Sequence, residues 1–324
     1  MTPASPHEIV VTGLVVVDVL VQIPESVVSN EKHEVRSLNI SGGGPAGNAA
    51  ATLASLGWRV AHAARIGHDT TGRIARAEME RCGIGRELLI DDPDARPGVA
   101  VVQIHPSTGE RTVFYNLTGY RFLRRADIPA DAIRTAKLVL VDGYEAEAAL
   151  AVLESAATHG IPSVLDIEAG EPETLLKLLA LAGHAILPIE GARRLTGEHR
   201  PAEVLRQLAR HTRAQLIVTD GTEGSWALTP GGIHHQPALP VRALDTTGCG
   251  DAYHGAYASA LLDGLSLPLR MEFASWIAAK VALQFGGRTD LPTRATLARE
   301  DPALLSPELR AHVLKQCHEG KTQE

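Results

Sequence analysis

The segment from Glu8 to Val19, EIVVTGLVVVDV, is β-branched and too continuously apolar for a strand with one wet face. It reads as a buried first strand, because strands covered on both faces lose the alternation of half-exposed ones. Asp18 stands near its end. A charge at the carboxyl end of a central strand is where open α/β sheets hold ligands, and it is equally where a strand-end cap sits. VLVQIP and HEVRSLNIS then alternate apolar and polar positions, as half-exposed strands do. GVAVVQIHP and RTVFYN flank Ser107-Thr108-Gly109-Glu110, which predicts a hairpin. These pieces, roughly within residues 19–42 and 98–118, predict a small β-sheet lid with one face over a ligand.

From Ala136 onward, strand and helix alternate: KLVLVDG, AEAALAVLESAATHG, PSVLDIEAG, ETLLKLLALAG, HAILPI and QLIVTDG. This predicts an α/β fold with a central, mostly parallel sheet and helices on both faces, in a single domain over residues 1–324. No internal repeat or low-complexity tract breaks the pattern. The polar end, LKQCHEGKTQE, is expected to fray.

Composition fits one large core: 44% of the 324 residues are hydrophobic and 4% aromatic, so Ala, Val, Leu and Ile must fill it. A net charge of -7 gives no reason to seek a polyanion such as DNA, and a small molecule suits it better. Cys82, Cys249 and Cys317 stand far apart without a C-x-x-C pair. That spacing suits a reducing cytosol and neither a disulfide framework nor a cysteine zinc site. The chain does not open on a basic segment followed by an apolar run, and no stretch of about 18 apolar residues occurs. A soluble, cytoplasmic protein is the expectation.

The chemistry concentrates in Leu244 to Gly264, LDTTGCGDAYHGAYASALLDG, where a polar turn becomes a helix predicted to bury Tyr253, Ala256, Tyr257, Ala260 and Leu261 on one face. Gly248, Cys249 and Gly250 then lie at a helix N-terminus, where free N–H groups and the positive end of the dipole can hold a phosphate. Asp251 would repel that phosphate, which suits a base facing an incoming hydroxyl; an ordinary N-cap is the competing reading. The second cluster, Ser41-Gly42-Gly43-Gly44-Pro45-Ala46-Gly47-Asn48, also runs into a helix, AAATLASLG. Bare glycine backbone permits close contact with sugar hydroxyls, and Asn48 offers donors and an acceptor.

DTTGCGDAYHGAY resembles the second signature of the ribokinase-like, PfkB-type carbohydrate kinases, D-T-x-G-A-G-D followed by an aromatic and a small-residue helix. GGGPAGNAAATLASLG resembles the first signature, and the resemblance runs from Val11 to about Arg294. It implies ATP-dependent phosphorylation of a sugar hydroxyl, with Asp251 as base and Asp18, Gly43, Gly44 and Asn48 on the sugar. It assigns Gly248, Cys249 and Gly250 to the transferred phosphate, and Thr219, Gly221 and Gly224 of IVTDGTEGSWAL to ATP. FASWIAAKVALQFGGRTDLPTR would close the adenine pocket, with Gly286 and Gly287 near the closure. Asp245 and Thr247 match the positions that hold a monovalent cation such as K⁺ in many members. Pairing between two lids, and hence a homodimer, is also implied, because the lid's exposed face needs cover.

Two departures stand out. Cys249 replaces the usual Ala, as a buried, inert thiol or as one sensitive to oxidation. Pro188 and Gly191 replace the ends of the N-x-x-E element that organises Mg²⁺, with Glu190 adjacent, although Mg²⁺ still accompanies ATP. GGGPA, the lost N-x-x-E and HHQPALPVRALDTTG resemble the sulfofructose kinase subfamily, which implies 6-deoxy-6-sulfofructose, converted to its 1-phosphate, as one candidate reaction. A sulfonate would need a cationic clamp, for which Arg111 and Arg121 are available unless both are merely solvated, and VDGYEAEAA offers no arginine.

Other ketoses, a nucleoside or ribose acceptor, and a non-catalytic sugar-binding regulator are the alternatives. No G-x-x-x-x-G-K-[ST] occurs, and no G-x-G-x-x-G follows the first strand. His234 and His235 are adjacent on a strand and point to opposite faces. His62, His68 and His159 are read as surface residues at element edges.

Overall fold

The computed structural model describes residues 7–168, 170–299 and 305–320, with side chains described as far as residue 316. The opening apolar run forms two strands rather than one, β1 (Ile9–Thr12) and β2 (Val16–Gln22). The break falls at Gly13, where the Asp142 carboxylate fills the space a Cβ would need, with Cγ 2.2 Å from that position. Asp142 Oδ2 accepts the Leu14 N–H at 2.8 Å, which turns the chain out of the first sheet. β2 therefore joins a second sheet, and Asp18 sits within that sheet's strand, not at the end of a central one.

β3 (Leu38–Gly43) leads into α1 (Pro45–Ser55), and β4 (Val60–Ile66) into α2 (Thr70–Arg81). β5 (Leu89–Asp91), β6 (Gly98–Ile104), β7 (Arg111–Asn116) and the short α3 (Ala130–Arg134) follow. The predicted alternation then appears as β8 (Leu138–Val141), α4 (Ala146–His159), β9 (Ser163–Asp166), α5 (Pro172–Leu181), β10 (His184–Pro188), α6 (Ile189–Thr196), α7 (Pro201–Leu208) and β11 (Gln215–Thr219). After the hairpin of β12 (Ser225–Thr229) and β13 (Gly232–Gln236) come α8 (Cys249–Leu262), α9 (Leu267–Val281), α10 (Arg294–Leu297) and α11 (Pro307–Gly320). The polar end expected to fray is thus helical as far as Gly320.

The main sheet has nine strands in the order β13-β12-β11-β10-β9-β8-β1-β4-β5. Its pairs are parallel except β11–β12 and β12–β13. Both faces are covered, and the period-2 geometry of each strand divides its residues between them. Ile9, Val11, Leu138 and Leu140 pack with α1, α8 and α9; Val10, Val139 and Val141 pack with α4, α5 and α7. α8 differs from expectation, being buried continuously from Ala252 to Ala260 instead of along one stripe. Its small residues allow this: a Cβ on Gly255 would come within 2.7 Å of the Ala49 carbonyl oxygen of α1.

The second sheet is mixed, in the order β3-β2-β6-β7, with β2 and β6 parallel and the outer pairs antiparallel. Leu14, Val16, Leu20, Ala100, Val102 and Ile104 form its own small core. Leu38, Ile40, Val101 and Phe114 on the opposite face are exposed.

Candidate active site

Between the inner face of the small sheet and the N-termini of α1 and α8 lies a cleft with about 710 Å³ of empty space, part of it open to solvent. Of the sequence-assigned residues, Asp18, Gly44, Asn48, Thr247, Gly248 and Asp251 line it. They come from three stretches of chain, β2, the start of α1 and the start of α8, brought together by the crossing of the two sheets.

Asp18 points from β2 across β3, where Gly43 leaves room for it: a Cβ there would lie 2.1 Å from Asp18 Oδ2. Burial pushes this carboxyl up to about 6, against the pull of the Arg288 charge. Gly44 caps α1 at φ +83°, and a side chain there would strike the Leu14 carbonyl oxygen at 2.6 Å. Only glycine accommodates both demands at that turn.

Gly248, at φ +76°, is the N-cap of α8, so Asp251 is the third residue of the helix and not its cap. Among the described residues the N–H groups of Gly248, Gly250 and Asp251 find no acceptor, which leaves three donors at the positive end of the helix. Asp251 Oδ2 accepts a hydrogen bond from Asn48 Nδ2 at 2.7 Å. Burial raises its carboxyl above the ordinary range, opposed by the Asn48 hydrogen bond. On the other side, Asn48 Oδ1 accepts from Arg288 Nε at 2.6 Å. A guanidinium only donates and a carboxylate only accepts, so the two neighbours fix the amide's orientation.

Arg288 was missed in the sequence. It is 4% exposed and donates from Nη2 to the Gly43 carbonyl oxygen at 2.6 Å. Gly42 and Gly47 make space for it, since a Cβ on Gly47 would lie 2.3 Å from Nη2. Two otherwise unexplained glycines in the first cluster were the available signal. The stretch assigned to the adenine pocket packs on the loop before α8 and on the first glycine cluster: Gly287 lies against the Gly248 backbone, and Gly286 N–H donates to Asp245 Oδ2 at 2.8 Å. Asp245 Oδ1 accepts the Thr247 N–H at 2.7 Å, and the buried Thr247 hydroxyl has no partner among the described residues.

Cys249 is the first residue of α8, and burial pushes its thiol up to about 12, which favours the inert reading over the reactive one. Thr219, the last residue of β11, and Gly221 and Gly224 in the turn after it lie outside the cleft lining. That turn is held beside α8 by the 2.9 Å contact between Ser225 Oγ and the Tyr253 hydroxyl. Gly224 is pinned at φ +94°, where a Cβ would meet the Gln236 carbonyl oxygen at 2.1 Å.

Arg111 lines the cleft and donates to the Thr246 carbonyl oxygen at 3.2 Å. Arg121 does not reach it and pairs with Asp94 at 3.0 Å. Glu190 pairs with Arg193 at 2.5 Å on the exposed side of α6. Glu168 and Tyr144, neither singled out in the sequence, also line the cleft, and burial pushes the Glu168 carboxyl up to about 7. His62 is fully buried in β4, contrary to expectation, with Nε2 3.2 Å from the Gly13 carbonyl oxygen. His235 stacks on Trp226 with centroids 4.5 Å apart, away from any shared site with His234.

The pfkB family carbohydrate kinase model matches residues 6–294. A fructokinase of Vibrio alginolyticus is 27% identical, over 90% of this chain and 98% of that one. A 5-dehydro-2-deoxygluconokinase of Shouchella clausii is 26% identical, over 80% and 86% respectively. A protein of known structure from Agrobacterium tumefaciens superposes with a TM-score of 0.81 at 28% identity, covering 91% of this chain and 99% of that one. With the family model spanning most of its length and its fold that of a large parallel sheet beside a small one, the chain belongs to the pfkB family of carbohydrate kinases.

Proposed function

We propose that the protein transfers the γ-phosphoryl group of ATP to a hydroxyl of a ketose or modified ketose, with Asp251 as general base. The observation that carries this is Asp251 in the first turn of α8, lining the cleft beside three free N–H donors and held by Asn48. Asp251 takes the proton of the attacking hydroxyl, and the donors of Gly248, Gly250 and Asp251 stabilise charge developing on the phosphoryl oxygens. Asp18 and Asn48, with the Gly43–Gly44 backbone, orient the sugar. Thr219, Gly221 and Gly224 hold the nucleotide, and the first turn at Cys249 holds the phosphate. A regulator without chemistry would have no use for a base placed at free donors.

Among the described residues no group of three His, Cys, Asp or Glu side chains could hold a metal ion. Mg²⁺ would arrive on the phosphates of ATP, where it neutralises their charge. The orphaned Thr247 hydroxyl beside the Asp245 carboxylate fits a monovalent cation such as K⁺. Among the described residues Arg111 is the one cationic side chain on the lining, which also carries Asp18, Glu168 and Asp251, so a sulfonate or phosphate on the substrate would depend on it. 6-Deoxy-6-sulfofructose, giving its 1-phosphate, is the candidate of that kind. A second reading, a nucleoside acceptor, is favoured by the apolar wall of Leu14, Val16, Ala100 and Val102 with Tyr115 and Tyr144 nearby.

We read residues 1–324 as one kinase domain in which the small sheet is the lid. Its exposed Leu38, Ile40, Val101 and Phe114 support a homodimer formed through the lids. The unpaired thiols of Cys82 and Cys249 suit a cytoplasmic setting. Turnover with ATP and Mg²⁺ across fructose, 6-deoxy-6-sulfofructose, fructose phosphates, ribose and adenosine tests the function. Phosphorylation of a ketose above the others is expected; preference for adenosine selects the second reading, and binding without turnover overturns both.

A further inference from the structure

Behind Asp251 lies a buried pair that phosphoryl transfer, as described, does not use. His254 follows Asp251 by three residues and so projects from a neighbouring position on the same side of α8; it is 2% exposed. Its Nδ1 lies 2.7 Å from the Gly250 carbonyl oxygen, and its Nε2 lies 3.2 Å from the Ile186 carbonyl oxygen of β10. Nε2 is also 3.4 Å from Asp166 Oδ1 at the end of β9. Asp166 is 1% exposed, and this oxygen has no hydrogen-bond partner among the described residues.

Backbone carbonyls only accept hydrogen bonds. A neutral imidazole carries one N–H, so at one of its two nitrogens it would turn a lone pair toward a carbonyl oxygen, in a site buried from water. A ring protonated at both nitrogens donates at both, and the Asp166 carboxylate gains a cation beside it. Burial works in the other direction and is the largest influence, leaving the imidazole's proton affinity below its ordinary value and that of the Asp166 carboxyl well above its own. The two carbonyls and the Asp251 charge favour the protonated ring. The charged groups acting on the pair are all acids: Asp251 on α8, Glu168 after β9 and Asp142 after β8.

We propose that His254 stands as an imidazolium with Asp166 as its counter-ion, a positioning residue that holds the Gly250–Asp251 peptide and adds positive charge beneath the anion loop. The N–H of that peptide is one of the three free donors. The charge reinforces the helix dipole and favours the ionised form of Asp251. The role rests on the phosphoryl-transfer reading; the ring's protonation state does not.

The test uses the full chain labelled with ¹⁵N-histidine at about pH 7.5, above the ordinary titration range of the side chain. Two-bond ¹H–¹⁵N correlation separates an imidazolium from a neutral tautomer, and His254→Gln, or the resonance displaced by Asp166→Asn, assigns the ring. His254 is expected to be protonated at both nitrogens. Asp166→Asn keeps the shape and removes the counter-charge; it is expected to leave a single neutral tautomer and to lower kcat about tenfold or more, with little change in KM for ATP. A neutral tautomer in the parent protein overturns the charge assignment, and an unchanged kcat in Asp166→Asn overturns the role. Since the ring is read without turnover, a parent protein inactive on every acceptor would count against the kinase reading and leave the charge assignment decided.

Discussion

Asn48 joins Asp251 to Arg288, donating to the carboxylate at 2.7 Å and accepting from the guanidinium at 2.6 Å. The base is thereby tied to α1 and to the loop after α9 through one amide. Asn48→Ala frees the base and leaves a buried Arg288 N–H unpaired. It is expected to lower kcat/KM for the sugar by about 10²-fold, with a smaller change in KM for ATP, in steady-state kinetics. Equal loss toward both substrates would contradict a bridging role.

Asp251→Asn keeps the shape of the first turn of α8 and removes the proton acceptor. Turnover is expected to drop by about 10²-fold or more, while nucleotide affinity measured calorimetrically holds. Near-normal turnover would remove Asp251 from the role of base.

Asp18, held up at about 6 by burial, accepts through both oxygens only when ionised, the form that the proposed grip on sugar hydroxyls uses. KM for the sugar is therefore expected to rise as pH falls through about 6, while KM for ATP stays flat. Asp18→Asn should abolish that pH dependence and weaken the sugar more than ATP; a parallel loss of both would point to misfolding.

Gly47→Ala places a methyl group 2.3 Å from where Arg288 Nη2 now lies. The guanidinium must move, and its contacts with Asn48 and the Gly43 carbonyl go with it. The expected result is at least a tenfold loss in kcat/KM for the sugar with the melting temperature shifted by only a few degrees. Wild-type kinetics would show that Arg288 has room to spare.

Stability itself should depend on pH in a direction opposite to that of an ion-paired surface. Asp142 and Glu145 are buried, and burial pushes each up to about 7. The unfolded chain gives up these protons near pH ~4, so between there and about 7 the folded state binds more protons. Their contribution is fully present below the unfolded pKa and is lost as pH rises through about 7. Thermal melts are expected to fall between about pH 5 and about pH 8, and a steady rise over that window would contradict the assignment.

The alternating βα pattern after Ala136, the hairpin around Gly109 and the glycine turn before α8 were all legible because local periodicity and turn chemistry determine them. The split at Gly13 was not. It depends on Asp142, distant in sequence, filling the glycine's empty side, and the apolar run continues straight across it. The continuous burial of α8 escaped for a related reason: Ala and Gly face any environment, and only the crossing of α1 and α9 shows that every side is used. Arg288 was hidden because it sits beyond the second signature, in a loop where an arginine reads as solvated. His62 looked exposed by its place near an element edge, yet β4 is an interior strand of the nine-stranded sheet.

The break at Gly13 also divides the residues proposed to hold the sugar between two sheets. Asp18 travels with the small sheet, whereas Asn48 and Asp251 belong to helices fixed on the large one. On the proposed assignment, a sugar held by all three is a rivet through two plates, fastening the small sheet to the large one while it is bound.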